Sequence, residues 1–164
     1  MILHQRGLKL IIFLYTFAFF CACNAQNNSA KHLKAYPQSY LYLPNGEKFK
    51  VYIAQSPAQQ KQGLSKIQSI DFSNQEGMLF PEESMFVRQF WMPETFFDLD
   101  LFFMNQDYYI LGVHRGLKHY PKKGDRSQVP LSKKVFSQHV VELKAGSYFA
   151  KKLMPGMQLK LKKK

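Results

Sequence analysis

The fold of this 164-residue chain is constrained most by short segments in which apolar and polar side chains alternate. In the clearest of them, from Phe49 to Ile53, an apolar side chain occupies every second position. That period of two is typical of a half-buried β-strand. Asn45-Gly46 lies just before it and predicts a hairpin turn, with the partner strand at about residues 40–43.

The same pattern assigns most of the chain to strands and leaves room for one or two short helices. Further strands are predicted at residues 99–104, 108–113, 139–144 and 157–161. Helices are predicted at residues 56–64, where Ser56-Pro57 forms a helix start, and at residues 147–154. A hydrophobic share of 46% excludes a disordered chain. Many short strands with few helices predict a mainly β domain, built as a compact sandwich or barrel.

Residues 1–22 have the composition of an export signal. Arg6 and Lys9 make the start of the chain positive without any acid, and an apolar run follows from residue 10 to residue 20. That run is about half as long as a membrane-spanning helix, which needs roughly 20 apolar residues. The sequence therefore predicts a signal peptide over residues 1–22. An uncleaved membrane anchor and a buried core helix are the alternatives.

Both cysteines of the chain lie at the end of this segment. Ala22-Cys23 is similar to the end of a bacterial lipobox, in which cleavage precedes a lipidated cysteine. We therefore predict lipidation of Cys23 and a lipoprotein that is periplasmic or tethered to the outer membrane. Ordinary cleavage near Ala25, which would give a soluble periplasmic or secreted protein, is the alternative. Residues 23–38 are rich in small and polar side chains, which predicts a flexible linker to a domain over residues 39–164.

The chain is strongly basic, with a formal net charge of +12. Removing residues 1–22 leaves 21 basic and 11 acidic side chains, and many of the basic ones follow Val113. In an exported protein this charge favours an anionic envelope polymer or an anionic lipid surface as partner, and not nucleic acid. A solvated face that only keeps the protein soluble is the alternative.

Large apolar side chains are concentrated between Gly77 and Phe103. This stretch holds the chain's only tryptophan, seven phenylalanines and three methionines, together with several acids. Tryptophan has an apolar body and an N–H group that needs a partner, so it often forms the wall of a ligand cleft. We therefore predict a cleft at Trp91 and Met92 that binds a small-molecule, glycan or polymeric ligand. The alternative is that these side chains only build the core.

Three acids close to this tryptophan extend the predicted site. Asp98 and Asp100 would face one side of a strand, with Cα atoms about 6.6 Å apart, and Glu94 could approach from the preceding turn. Together they could bind sugar hydroxyls or a hard cation. The pair could also act as a carboxylate-dependent glycoside hydrolase. Alternatively, Asp98 is a solvated loop acid and Asp100 caps backbone N–H groups.

Several short motifs follow one another along the domain, namely Gly63-Leu64, Gly77-Met78-Leu79-Phe80, Phe90-Trp91-Met92 with Thr95, Leu99-Asp100 with Phe103, and Val141-Glu142-Leu143-Lys144-Ala145-Gly146. Their order resembles that of the DUF192 family, whose usual segments read GLM, GMLF, FWMKNT, PLD and VLE-x-x-AG. The resemblance extends from about Lys48 to Leu161. This resemblance implies a compact jelly-roll-like β fold that is often exported and has no established biochemical activity.

The chain departs from the usual family pattern at four positions. Pro93-Glu94 replaces Lys-Asn, Asp98 replaces proline, and Ser65 replaces methionine. Motifs for a nucleophile elbow, a phosphate-binding loop or a zinc protease are absent from the sequence. We therefore favour a non-enzymatic envelope domain without cofactor or metal that binds its ligand near Trp91. A hydrolase that uses Asp98 and Asp100 is the alternative.

Overall fold

A computed structural model describes residues 31–122 and 126–162 of the chain. The predicted signal peptide and Cys23 lie outside these residues. The strands of the described part are β1 (Gln38–Tyr42), β2 (Lys48–Ile53), β3 (Glu76–Phe80), β4 (Phe86–Arg88), β5 (Leu99–Met104), β6 (Ile110–Leu117), β7 (Val135–Ser137), β8 (His139–Lys144) and β9 (Lys160–Leu161). Its helices are α1 (Pro57–Gln62) and α2 (Tyr148–Lys152), with a helical turn at residues 31–34 and 3₁₀ turns at Ser69–Asp71 and Arg126–Gln128.

Seven of these strands form one sheet in the order β6-β5-β8-β3-β2-β1-β9, and the sheet curls into a half-barrel. All neighbours in it are antiparallel except β2 and β3, which run parallel. Strands β4 and β7 form a separate antiparallel pair. The predicted fold class, a compact mainly β sandwich or barrel with short helices, is confirmed.

The first predicted hairpin is confirmed and is closed at the predicted turn. Leu43 N–H donates to the carbonyl oxygen of Glu47 at 2.8 Å, and Gly46 takes a φ of +85° that favours glycine. In the second hairpin, β5 has the predicted bounds, but its partner begins two residues later than expected. Tyr108 has a φ of +62°, a turn conformation that a regular strand cannot include.

Helix α1 begins where the sequence predicts, because both halves of a capping box are present. Ser56 Oγ accepts the N–H of Gln59 at 3.2 Å, and Gln59 Oε1 accepts the N–H of Ser56 at 3.1 Å. Pro57 follows at the first helical position. The helix ends at Gly63, whose φ is +49° and where a Cβ would lie 3.3 Å from the Phe80 ring. The short helix therefore stays closely packed on β3.

Both faces of the large sheet are covered by apolar side chains, and every residue of β5 is buried. Leu33 and Tyr36, only 2% and 4% exposed, belong to one of these cores. The C-terminal part of the predicted 23–38 linker therefore overlaps the folded domain. Near the other end, regular pairing is limited to Lys160–Leu161, so the last strand is shorter than predicted. None of the helices described is long and apolar enough to span a membrane.

Candidate functional site

An open cleft of about 470 Å³ lies beside Trp91. One wall is α1 and the turn that follows it, which ends at Lys66. The opposite wall is the irregular segment from Trp91 to Glu94, and Tyr120 and Lys122 complete the rim. The cleft is therefore built from connections that β3 and β5 hold in place, and such connections are where binding sites often form on β folds.

Hydrogen bonds between the two walls fix the shape of the cleft. Ser65 Oγ donates to the carbonyl oxygen of Pro93 at 2.7 Å, and Lys66 N–H donates to the carbonyl oxygen of Glu94 at 2.8 Å. On the rim, Thr95 N–H donates to the carbonyl oxygen of Tyr120 at 3.1 Å. The irregular segment is therefore fastened on both sides, which favours a preformed cleft.

Two residues of the cleft hold a strained backbone conformation. Lys66 has a φ of +64° and Glu94 a φ of +51°, and these two residues are joined by the backbone hydrogen bond between the walls. The left-handed region costs a side-chain-bearing residue on the order of 1–2 kcal/mol. Such conformations concentrate at functional sites, where the surrounding structure maintains them. The side chains also approach, with Lys66 Nζ 3.6 Å from Glu94 Oε2.

Trp91 and Met92 occupy different depths of the site. Trp91 is 40% exposed and contributes to the wall of the open cleft, whereas Met92 is 1% exposed and lies beneath it. An antiparallel bridge to Leu131 holds the backbone of Trp91. The indole therefore offers a partly exposed apolar surface to a ligand, while Met92 contributes packing underneath.

The cleft has a basic rim. Lys61, Lys66 and Lys122 line it, and Glu94 is the acid among its lining residues. Since Glu94 already approaches Lys66, the cleft keeps a net positive charge. A positively charged cleft with an apolar wall attracts anionic ligands.

A second, smaller cavity of about 40 Å³, the inner cavity, adjoins this cleft. The two share Lys61, Gln62, Ser65, Trp91 and Pro93 as lining residues. Below these residues the inner cavity is lined mainly by apolar side chains, namely Leu64, Phe80, Phe90, Met92 and Leu99. A ligand in the cleft could therefore extend one small group towards the core.

Glu142 is the acidic residue among those that line this cavity. It is on β8, in the middle of the large sheet, between Met78 of β3 and Leu101 of β5. The residue is 4% exposed, and within residues 31–122 and 126–162 only burial and the charge of Arg88 act on its carboxyl, with no side-chain hydrogen bond. Burial raises the pKa of Glu142 to about 8, although the nearby positive charge of Arg88 opposes this increase. At neutral pH the carboxyl is therefore protonated.

Arg88 does not neutralise Glu142 because its guanidinium is held elsewhere. Its Nη1 donates to the carbonyl oxygens of Phe80 and Gln138, at 3.0 and 2.9 Å. Its Nη2 lies 3.8 Å from Glu82 Oε1. Arg88 therefore fastens β4 to the large sheet and acts on Glu142 only through its field.

Asp98 and Asp100 are not among the residues that line the cleft or the inner cavity. Asp98 Oδ2 lies 2.7 Å from Lys118 Nζ, and Asp98 Oδ1 lies 2.7 Å from His119 Nδ1 and accepts the His119 N–H at 2.9 Å. Partial burial raises the pKa of Asp98, but the hydrogen bonds from Lys118 and His119 outweigh it and lower that pKa to about 2. Asp98 is therefore held in an ion-pair cluster at the end of β6.

Asp100 is buried and accepts backbone N–H groups from strand β6 and from the turn after β8. Its Oδ1 accepts the N–H of Gly116 at 2.7 Å, and its Oδ2 accepts the N–H of Gly146 at 3.1 Å. Arg115 Nη1 lies 3.3 Å from the same Oδ2. The structure therefore does not bring Glu94 together with Asp98 and Asp100. Within the described residues, no group of three His, Cys, Asp or Glu side chains could hold a metal ion.

A family model of DUF192, described as Uncharacterized ACR, matches residues 42–161. The chain belongs to the DUF192 family. The predicted family is thereby confirmed, and the match extends over nearly all of the large sheet and both walls of the cleft.

Two solved structures resemble this DUF192 domain. A protein from Sinorhizobium meliloti 1021, suggested to be a transcription regulator, is 25% identical with a TM-score of 0.62, over 77% of this chain and 95% of that chain. A protein of unknown function from Novosphingobium aromaticivorans DSM 12444 is 21% identical with a TM-score of 0.59, over 76% of this chain and 84% of that chain. No curated protein matches this sequence. The function therefore has to be inferred from the cleft itself.

The residues that depart from the usual DUF192 pattern are concentrated in this cleft. Ser65, Pro93 and Glu94 all line it, and Ser65 contacts Pro93 directly. The fourth departure, Asp98, belongs to the separate ion-pair cluster. This DUF192 domain therefore differs from the usual pattern mainly in the lining of the cleft.

Glu142 is the site residue that the sequence analysis missed. It appears there only as part of the family segment. A signal is nevertheless present in the sequence, because Val140 and Glu142 face one side of β8 while Val141 and Leu143 face the other, and all four are buried. An acid at an inward position of a strand that is apolar on both faces rarely lacks a role.

Proposed function

We propose that this DUF192 protein is a non-enzymatic module of the cell envelope that binds an anionic saccharide in the cleft beside Trp91. The observation that carries the proposal is the combination of a half-exposed indole with a lysine-lined, preformed cleft. Flat aromatic surfaces suit the apolar faces of sugar rings, and lysines attract carboxylate or phosphate groups. An envelope location is supported by the signal-like composition of residues 1–22 and by the lipobox-like Ala22-Cys23.

Binding can be measured directly because Trp91 is the only tryptophan of the chain. We expect tetragalacturonate, a soluble anionic saccharide, to change its fluorescence saturably, and maltotetraose, a neutral saccharide of equal length, to bind at least tenfold more weakly. Binding should weaken as salt is added because the attraction is electrostatic. Equal affinity for the two saccharides, or no saturable binding of either, would overturn the proposal.

Two variants locate the ligand. Replacing both Lys61 and Lys66 by Gln should weaken tetragalacturonate binding by about tenfold, since two favourable charges are removed from the cleft. The matched control is Lys151→Gln, which removes an exposed lysine on α2, away from the cleft. Calorimetric titration of Trp91→Ala should show loss of binding with the fold intact. If Lys151→Gln weakened binding as much as the cleft variant, the cleft would not be the site.

The predicted lipid anchor is tested by radiolabelled palmitate in cells that express the full chain. We expect the label to enter the protein and to be lost in Cys23→Ser. Label that survives this substitution, or none at all, would contradict the proposed anchor.

The non-enzymatic part of the proposal has its own test. Any reproducible glycan turnover that disappears in Asp98→Asn while the fold is retained would favour a hydrolase instead.

A further inference from the structure

We infer that the inner cavity is a subsite for an acyl carbonyl group of the bound saccharide, with the Glu142 carboxyl as the hydrogen-bond donor. This inference rests on the proposed function, since the cleft must hold the rest of the ligand. It names what the cleft alone does not specify, namely an N-acylated sugar that also carries an acid. The N-acyl group of the sugar would enter the inner cavity, while its acidic group would stay in the cleft near the lysines.

The inner cavity can be reached by a ligand that lies in the open cleft. Five residues line both the open cleft and the inner cavity, so the two spaces adjoin. Ser65 and Pro93 are among them and are joined by a hydrogen bond, and Trp91 covers both spaces. A group that projects inward from a sugar ring stacked on Trp91 would therefore reach the inner cavity first.

The second support is an unused polar group. Glu142 is 4% exposed and lines the cavity, and its carboxyl makes no side-chain hydrogen bond in the described part of the chain. A buried polar group without a partner typically costs about 1–3 kcal/mol. A ligand atom that supplies the missing partner would recover that free energy on binding. Ligand pockets are typically apolar with a few placed polar groups, which is the arrangement of Glu142 in this cavity.

The protonation state of Glu142 determines which ligand atom fits. Besides Glu142, the charged groups that act on the cavity are Arg88 from β4, through its field, and Lys61 from α1 at the entrance. The neighbours from β3 and β5 are Met78 and Leu101, which do not titrate. Because burial outweighs the effect of Arg88, the carboxyl keeps its proton at neutral pH and donates a hydrogen bond. A carbonyl oxygen accepts such a bond.

The size and lining of the cavity favour an acyl group over a charged one. Its volume of about 40 Å³ has room for about one small group. The apolar side chains Phe80, Phe90 and Leu99 would contact a methyl carbon, and they would offer nothing to an ion. Positive charges from Arg88 and Lys61 also disfavour an ammonium. A carbonyl group attached to a small apolar carbon could accept a hydrogen bond from the Glu142 carboxyl and could also pack against the apolar side chains of the cavity.

The test uses N-acetylmuramic acid, which carries a carboxylate and an acetamido group, and tetragalacturonate, which has no acyl amide. At pH 6.5 we expect Glu142→Met to bind N-acetylmuramic acid about tenfold more weakly than wild type, because methionine has a similar size but donates no hydrogen bond. Glu142→Gln, whose amide can donate, should stay within about twofold of wild type. Tetragalacturonate binding should change by less than twofold in both variants.

A pH series distinguishes hydrogen-bond donation by Glu142 from a role of this side chain in packing alone. From pH 6.5 to pH 9.5 the affinity of wild type for N-acetylmuramic acid should fall about tenfold relative to Glu142→Gln, since Glu142 loses its proton over this range and the amide does not. The ligand carboxylate stays ionised throughout. Equal pH profiles for wild type and Glu142→Gln, or a Glu142→Met variant with wild-type affinity, would overturn the subsite while tetragalacturonate still bound. Loss of tetragalacturonate binding as well would overturn the proposed function and the subsite with it.

Discussion

Ser65 donates its hydroxyl hydrogen to the carbonyl oxygen of Pro93 at 2.7 Å, across the mouth of the cleft. Both residues replace other residues of the usual family pattern, and they meet although 28 positions separate them in the chain. A methionine at position 65 could not make this hydrogen bond. The contact therefore joins two departures from the family pattern in one structural feature of the cleft.

The first prediction concerns this contact. Ser65→Ala should lower the free energy of unfolding by about 1 kcal/mol, because one partly buried hydrogen bond is lost. It should also weaken tetragalacturonate binding, since Pro93 is then free to move. Urea denaturation and fluorescence titration measure the two effects. Ser39→Ala is the control, because the Ser39 hydroxyl donates a hydrogen bond to the carbonyl oxygen of Lys162 at an exposed site. Equal losses of stability in the two variants would contradict the special role of Ser65.

The second prediction concerns Asp100, whose two oxygens accept the N–H groups of Gly116 and Gly146. Asp100→Asn should lower the free energy of unfolding by about 2 kcal/mol, because an amide NH₂ then faces a backbone donor in a buried place. Saccharide binding should be unchanged in the variant that remains folded. Chemical denaturation beside Asp107→Asn, an exposed acid on the neighbouring turn, provides the comparison. Wild-type stability in Asp100→Asn would show that the backbone at Gly116 and Gly146 is held by other contacts.

The third prediction is a pH dependence of stability that arises from Glu142. The folded-state pKa is about 8, against an ordinary value of 4.5. Between these values the unfolded chain has released a proton that the folded chain still holds, so stability falls as pH rises. Below about pH 4.5 this penalty is absent, and above about pH 8 it is complete.

Glu142→Gln removes this titration and should therefore stabilise the protein at pH 7, by roughly 3 kcal/mol. The advantage over wild type should shrink to near zero at pH 4.5. Thermal unfolding of both proteins from pH 4.5 to pH 9 measures it. A constant difference across this range would mean that the carboxyl of Glu142 is ionised in the folded protein.

The fourth prediction concerns Asp98, whose pKa is shifted in the opposite direction from that of Glu142. Its folded-state pKa of about 2 lies below the ordinary 3.8, so its stabilising effect is present above about pH 3.8 and disappears as pH falls towards 2. Asp98→Asn should therefore be less stable than wild type at pH 7 and equal to it near pH 2. The effect should be small because the Asp98 side chain is 25% exposed and Lys118 is 75% exposed. Thermal unfolding in low and high salt should show that the stability difference between wild type and Asp98→Asn decreases as salt is added.

Much of the secondary structure is predictable because its causes are local. The Asn45-Gly46 turn and the capping box at Ser56 depend only on residues a few positions apart, and both are found as predicted. Strand β5 has its predicted bounds because its flanks are turn residues. The β6 partner begins later than expected, since the backbone conformation of Tyr108 is not encoded by alternation. Local patterns thus predict elements better than their ends.

By itself, the sequence determined the class of the fold, the family and the position of the cleft at Trp91, because alternation, turns and motif order are properties of neighbouring residues. Only the tertiary structure decided which acids belong to the site. Asp98 and Asp100, close to Trp91 in sequence, bind backbone and basic groups elsewhere, whereas Glu142, from a distant part of the chain, lines the inner cavity together with Trp91. Strand order decides this, since β8 lies between β3 and β5 and brings the Glu142 carboxyl to the inner cavity. A sequence pattern carries no record of such pairing, because it depends on which strands become neighbours when both faces of the sheet are buried.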